Sequence, residues 1–96
     1  MSNVAQEIRE RLAVLQPQAI EIEDESARHA GHAGAKSGGG HYRLRIVSAL
    51  FGGKPTLVRH RMVYDALAEL MRSDIHALSV SALTPEEFQL SLNKET

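Results

Sequence analysis

The chain has no cysteine and no tryptophan, and only two tyrosines and two phenylalanines. Without cysteine there is no disulfide and no thiolate, so a metal held by this chain is held by His, Asp, Glu or a partner's ligands. No stretch approaches the ~18 apolar residues that span a membrane. The start, "MSNVAQEIRERL", lacks the apolar segment of a secretory signal. A cytoplasmic protein with no membrane partner is therefore expected. Residues 26–64 contain no acid, although they carry Arg28, Lys36, Arg43, Arg45, Lys54, Arg59 and Arg61. A segment of one sign can meet an anionic partner, or it can be a solvated face balanced by acids elsewhere.

What is present is ordinary for a small globular domain. The 96 residues are 43% apolar and 24% charged, with a net charge of -1. One domain spanning 1–96 is expected, with one modest core. Val4, Ile8, Leu12 and Leu15 form an amphipathic stripe, with Ser2 or Asn3 as its cap and Pro17 as its end. "AIEIE" alternates, placing Ile20 and Ile22 on one face and Glu21 and Glu23 on the other, as in a half-buried strand. "HYRLRIVS" alternates again, so an antiparallel hairpin with a long loop is expected. Such loops are often functional or disordered.

"FGGKP" reads as a turn, with Thr56 as a cap for the helix "LVRHRMVYDALAELMR", which is expected to break near His60. "IHALSVSAL" gives a third strand. "LTPEEF" closes the pattern: Thr84 and Glu87 form a capping box, Pro85 sits at the first helical position, and Leu83 with Phe88 makes a hydrophobic staple. The tail 91–96 is expected to fray. The order is α-β-β-α-β-α. The compact solution is an α/β fold with helices packed on one face of a three-stranded mixed sheet.

Catalysis has little support. There is no nucleophile with a matching base, and "FGGK" lacks the spacing and the Ser/Thr of a phosphate-binding loop. A non-enzyme is expected. The loop 26–40, glycine-rich and read as flexible, holds His29 and His32, with His41 at its end. Loop histidines alone make a weak metal site, because ordering the loop costs entropy. His76 opens the third strand and shares parity with Leu78 and Val80, so its ring is expected to lean toward the buried side. By itself it reads as a structural residue rather than a ligand. Lys54, Arg59 and Arg61 surround a glycine turn at a helix start, an arrangement that suits phosphate. His60 between the arginines is expected to bond locally.

Together, "IEIEDESARHAGH", "HYRLRIVSALFGGKPTLVRHRMVYDALAELM" and "IHALSVSALTPEEF" resemble the BolA family, from about Ile8 to Phe88. The pieces that carry the resemblance are "DES" before the loop, "F-x-G-K" before "RHR", and "IHAL" before "TPEE". The resemblance implies a fold like that of class II KH domains, without the KH GXXG loop. It implies partnership with a monothiol glutaredoxin and a shared [2Fe-2S] cluster, in iron-sulfur trafficking or iron regulation. The glutaredoxin would supply one cysteine and a bound glutathione another thiolate. This chain would supply His76 and a loop residue, here His29 first and His32 second, with His41 read as structural. No cluster is expected in the isolated protein, which alone would be a monomer or weak homodimer. The resemblance also implies a second reading, a DNA-binding regulator of stress response or morphology. Gly53, Lys54, Arg59, His60 and Arg61 match the region that would contact DNA or dock the glutaredoxin.

Overall fold

The computed structural model describes residues 4–25 and 40–94. Helix α1 (Val4–Leu12) buries Ile8 and Leu12, which lie four residues apart on one face. A 3-10 turn, Ala13–Leu15, continues it and buries Leu15. Gln16 then takes a left-handed conformation at φ 51°. Pro17 follows, and a residue before proline is disfavoured in the right-handed helical region. The helix therefore stops there and the chain turns into the sheet.

Strand β1 (Ala19–Asp24) pairs antiparallel with β2 (Gly40–Val47), from Ala19 opposite Val47 to Asp24 opposite Tyr42. Strand β3 (Ile75–Leu83) runs parallel to β2 on its other side, giving the order β1-β2-β3. The expected hairpin and mixed sheet are both present. Tyr42, Leu44 and Ile46 project from β2 into the core, where Ile20, Ile22, Leu78 and Val80 pack beside them. Helix α2 (Thr56–Ala66) adds Val63, and α3 (Ala68–Ser73) adds Leu70. Ile8, Leu12 and Leu15 complete the layer.

Helix α4 (Pro85–Lys94) stands apart from that core. Its Phe88 ring lies 5.3 Å from the guanidinium carbon of Arg45, which projects from the opposite face of the sheet. The expectation of helices on one face holds for α1, α2 and α3, while α4 reaches round to the other. With only Thr84 between β3 and α4, there is no loop length in which to cross back over the core. Helix α4 extends to Lys94.

Two local expectations are corrected. His60 lies inside α2, and the helix bends at Leu67 instead (φ -102°, ψ 13°). The bend keeps backbone bonds on both sides, Leu67 N–H to Val63 O at 3.1 Å and Met71 N–H to Leu67 O at 2.9 Å. It lets Val63, Leu67 and Leu70 all reach the core. Thr56 is the first helical residue and not the cap; extended Pro55 holds the cap position without a side-chain bond.

Ser48, which the periodicity does not single out, joins the layers. It is fully buried directly after β2. Its hydroxyl donates to Leu15 O at 2.7 Å and accepts from Leu50 N–H at 3.1 Å, while its own N–H donates to Leu83 O at 2.9 Å. Ser48→Ala leaves Leu15 O and Leu50 N–H without that partner, at a cost of about 1–3 kcal/mol. A lower urea midpoint at unchanged slope is the expected result.

Candidate metal centre and partner surface

Both of the strands that run parallel begin with a histidine in their second position. His41 follows Gly40 in β2, and His76 follows Ile75 in β3. The register couples Gly40 with Ile75, then slips so that His41 is opposite Ala77. His76 is the extra residue. The slip lets Ile75 take a buried position three residues before Leu78, and His76 becomes exposed. The expected parity of His76 with Leu78 and Val80 is thereby overturned, because an irregularity inserts one residue and reverses the facing of everything before it. The His41 and His76 rings then meet with centroids 5.2 Å apart and planes tilted by 43°. The sequence reading missed this juxtaposition. Two strand-opening histidines in parallel neighbours were the signal for it.

The backbone beside this pair is fixed. Gly40 N–H donates to Asp74 O at 2.9 Å, and Glu25 N–H donates to His41 O at 2.7 Å. Tyr42, next along β2, has its hydroxyl pKa pushed up by burial first and then by the charges of Asp24 and Asp74. Imidazole nitrogen suits iron, zinc and copper. Among the described residues no group of three or more His, Asp or Glu could hold a metal ion. His29 and His32 lie outside the described residues.

The basic turn has a different setting. Gly53 takes φ 75°, which only glycine adopts without strain, and leads through exposed Lys54 and Pro55 into α2. Arg61 is exposed and His60 half-buried. Arg59 turns inward, its side chain 12% exposed. Nε donates to Lys54 O at 2.7 Å, Nη1 to Ala82 O at 3.0 Å and to Glu87 Oε1 at 2.6 Å, and Nη2 to Glu87 Oε2 at 3.1 Å. These four bonds tie the turn, β3 and α4 together. The same glutamate accepts from Thr84 N–H at 2.9 Å while Thr84 Oγ1 accepts from Glu87 N–H at 3.2 Å, so the expected capping box is formed and shared with Arg59. Arg59 thus serves as a clamp, leaving Lys54 and Arg61 as the turn's outward charges.

The Arg59 guanidinium, then the Thr84 N–H, lower the Glu87 pKa to about 2. Its ordinary value is about 4.3. The ionised form is favoured by folding, so its contribution is complete above the ordinary value and lost as pH falls toward the folded one. Stability of the wild type should therefore decline between about pH 4.3 and pH 2, with a shallower decline in Glu87→Gln. Urea midpoints measured across that window check it.

Helix α2 also fixes where the two surfaces lie. Tyr64 OH donates to Leu78 O at 3.2 Å, whereas Arg59, five residues earlier, reaches Ala82 O. The helix therefore runs opposite to β3 and covers carbonyls on the free edge of that strand. Its basic N-terminal turn sits beside the far end from His76, six residues away, or about 20 Å along a strand. The outer sheet face between them is charge-compensated. Arg45 pairs with Glu21, and Arg43 pairs with Glu25 at 3.0 Å and Glu23 at 3.9 Å.

These features can now be set beside known proteins. A family described as BolA-like protein matches residues 12–87. The chain belongs to the BolA-like family. Its fold matches that of BolA1 from Arabidopsis thaliana, at 42% identity and a TM-score of 0.77, covering 91% of this chain and 97% of that one. SufE-like protein 1, chloroplastic/mitochondrial, from Arabidopsis thaliana is 46% identical over 86 residues, covering 83% of this chain and 23% of that protein. The DNA-binding transcriptional regulator BolA of Escherichia coli (strain K12) is 39% identical over 87 residues, covering 90% of this chain and 80% of that protein. Against other BolA-like relatives the chain spans little more than half of the partner's length, 53% for the mouse BolA-like protein 1 and 57% for the Arabidopsis protein BOLA1, chloroplastic. No helix among the described residues is long and apolar enough to cross a membrane.

Proposed function

We propose that this BolA-like chain acts without catalysis of its own, as a histidine-donating partner of a monothiol glutaredoxin, sharing a [2Fe-2S] cluster with it in iron-sulfur trafficking or iron regulation. The observation that carries the reading is the exposure of His76 at the start of β3, with a second imidazole beside it. A ligand offered to a partner's cluster must be accessible, and this one is. The glutaredoxin cysteine and glutathione would supply thiolates. Imidazole in place of thiolate on one iron raises the cluster's reduction potential. It also makes binding depend on pH, since the nitrogen must be free of its proton. The chain's task is to present imidazole nitrogen from a hydrogen-bonded strand. The protein mixed with cluster-loaded monothiol glutaredoxin should give a visible absorbance and circular-dichroism spectrum different from that of the glutaredoxin alone. An unchanged spectrum at saturating protein rejects the reading.

A second reading, DNA binding by the basic turn, draws support from the name of the E. coli relative. It would rest on Lys54 and Arg61, since Arg59 is held by Glu87 and by strand and turn carbonyls. Because this turn lies at the opposite end of β3 from His76, Lys54→Ala/Arg61→Ala should weaken DNA retention and leave a glutaredoxin spectrum intact. Phosphate contacts weaken steeply with salt. Only sequence-blind retardation that vanishes at physiological salt would count against this reading.

A further inference from the structure

We infer that Glu87 is an internal inhibitor of the basic turn: its carboxylate fills the Arg59 fork that a phosphate of the turn's anionic ligand takes when the first turn of α4 withdraws. The inference rests on the DNA reading for the identity of that ligand. The fork as an oxyanion site stands on its own geometry.

Backbone carbonyls orient Arg59 independently of any acid. Nε donates to Lys54 O at 2.7 Å and Nη1 to Ala82 O at 3.0 Å. These two bonds fix the guanidinium plane between the glycine turn and the end of β3. The remaining Nη donors meet the Glu87 carboxylate as a fork, Nη1 to Oε1 at 2.6 Å and Nη2 to Oε2 at 3.1 Å. Carboxylate and phosphate offer the same pair of oxygens to such a fork. One oxyanion can therefore replace the other without reorienting the arginine. The Arg59 side chain is 12% exposed and that of Glu87 is 43% exposed, so solvent reaches the pair from the carboxylate side. Helix α4 is lightly held. Among the described residues none of its side chains belongs to the core cluster, and Phe88 rests on the Arg45 guanidinium. Withdrawing its first turn takes no side chain out of the core.

Lys54 and Arg61 flank Arg59 in the chain and are both exposed. With Glu87 in place the turn offers these two cations; with Glu87 displaced it offers a third, already aimed. A ligand bearing phosphates along a backbone engages Lys54 and Arg61 first and gains the fork by displacing Glu87. A partly exposed ion pair contributes little to stability, so a multiply charged ligand competes with it. Ligand at the turn and closure of α4 are thereby opposed.

The test uses the full chain and duplex DNA of mixed sequence, with folding of each variant checked by circular dichroism. Glu87→Gln removes the charge while a glutamine at this position can still cap Thr84 N–H. One added phosphate contact should tighten DNA retention by about 10-fold at 50 mM salt and steepen its salt dependence by about 0.9. Glu86→Gln removes the same charge one residue away, from an exposed side chain, and should change retention by under about twofold, because salt screens a charge that touches no ligand. Arg59→Ala/Glu87→Gln should lose the gain. Equal retention by the wild type and Glu87→Gln, or the same gain in Glu86→Gln or in the double variant, overturns the inference. If neither the wild type nor any variant retains DNA at 50 mM salt, the DNA reading falls, and inorganic phosphate alone decides the fork. At constant ionic strength against chloride, phosphate should raise the melting temperature of Glu87→Ala by a few degrees more than that of Arg59→Ala/Glu87→Ala, since a ligand that binds only the folded state stabilises it. An equal rise in both is the general effect of phosphate on burial and overturns the site.

Discussion

His76→Ala should return the spectrum of the glutaredoxin mixture to that of the glutaredoxin alone, the largest functional effect expected of any single substitution here. The side chain is exposed, and no packing of its ring in the core is lost with it. Its removal therefore changes what the strand offers to a partner far more than it changes stability. Substitutions at exposed sites away from caps and networks usually fall within about 0.5 kcal/mol, and a melting temperature within a few degrees of the wild type is the matching control. The two quantities separate a ligand from a structural histidine. A structural role predicts a lowered melting temperature with the spectrum retained. A ligand predicts the reverse. Were the hetero-complex spectrum to persist at full intensity in His76→Ala, the role given to this residue would be wrong. The basic turn offers an internal contrast, since Arg59 ties it to the Ala82 end of β3, six residues along the strand from His76, and substitution of Lys54 and Arg61 should leave the cluster spectrum in place.

The sequence made the strands and the last cap legible for a physical reason: their signals are local. Alternation over "AIEIE" and "HYRLRIV" needs only that one face of a sheet be buried. The span "IHALSVSAL" coincides with Ile75–Leu83. The capping box at Thr84 and Glu87 needs only three residues of spacing. What the sequence hid depends on neighbours distant in the chain. The facing of His76 could not be read from parity, because the slip at Gly40/His41 is a property of two strands together. His41 looked structural when seen alone and gained a partner only once β2 and β3 were parallel. Arg59 looked like a surface cation because its acid, Glu87, lies 28 residues on. The bend at Leu67 follows from the core that α2 and α3 share with α1, and nothing in "DALAEL" announces it. The motif resemblance filled part of this gap. It pointed to His76 and to the basic turn, although it could not say that they occupy opposite ends of one strand.

Phe51→Ala should be the most destabilising of the substitutions considered, at about 3–5 kcal/mol. Phe51 is the largest of the fully buried side chains. It stands in the 3-10 turn Ala49–Phe51 between β2 and the glycine turn, where Leu50 beside it is 41% exposed. The turn is capped by Ser48, whose hydroxyl accepts from Leu50 N–H, and Phe51 O accepts from Lys54 N–H at 3.1 Å. These bonds fix the backbone on both sides, so the surroundings can collapse only partly into the space a ring leaves. Incomplete collapse is what raises the cost above the transfer energy of the lost atoms. A domain of this size holds a net stability of about 5–15 kcal/mol, so the variant should melt roughly 15–30 °C below the wild type. Phe51→Leu, which refills most of the space, should recover the larger part of that loss. Leu50→Ala, on the same turn but exposed, should cost little. The comparison also bears on the two proposed surfaces. The basic turn begins at the residue after Phe51, whereas His76 is anchored at the other end of the sheet by Ile75 in the core. Below its lowered melting temperature, Phe51→Ala should therefore retain the cluster spectrum while its backbone amides at Gly52 to Lys54 exchange faster than those of β2. Equal protection at both places would mean that the core transmits the loss evenly, and that the turn is held by Arg59 and Ser48 more than by the ring.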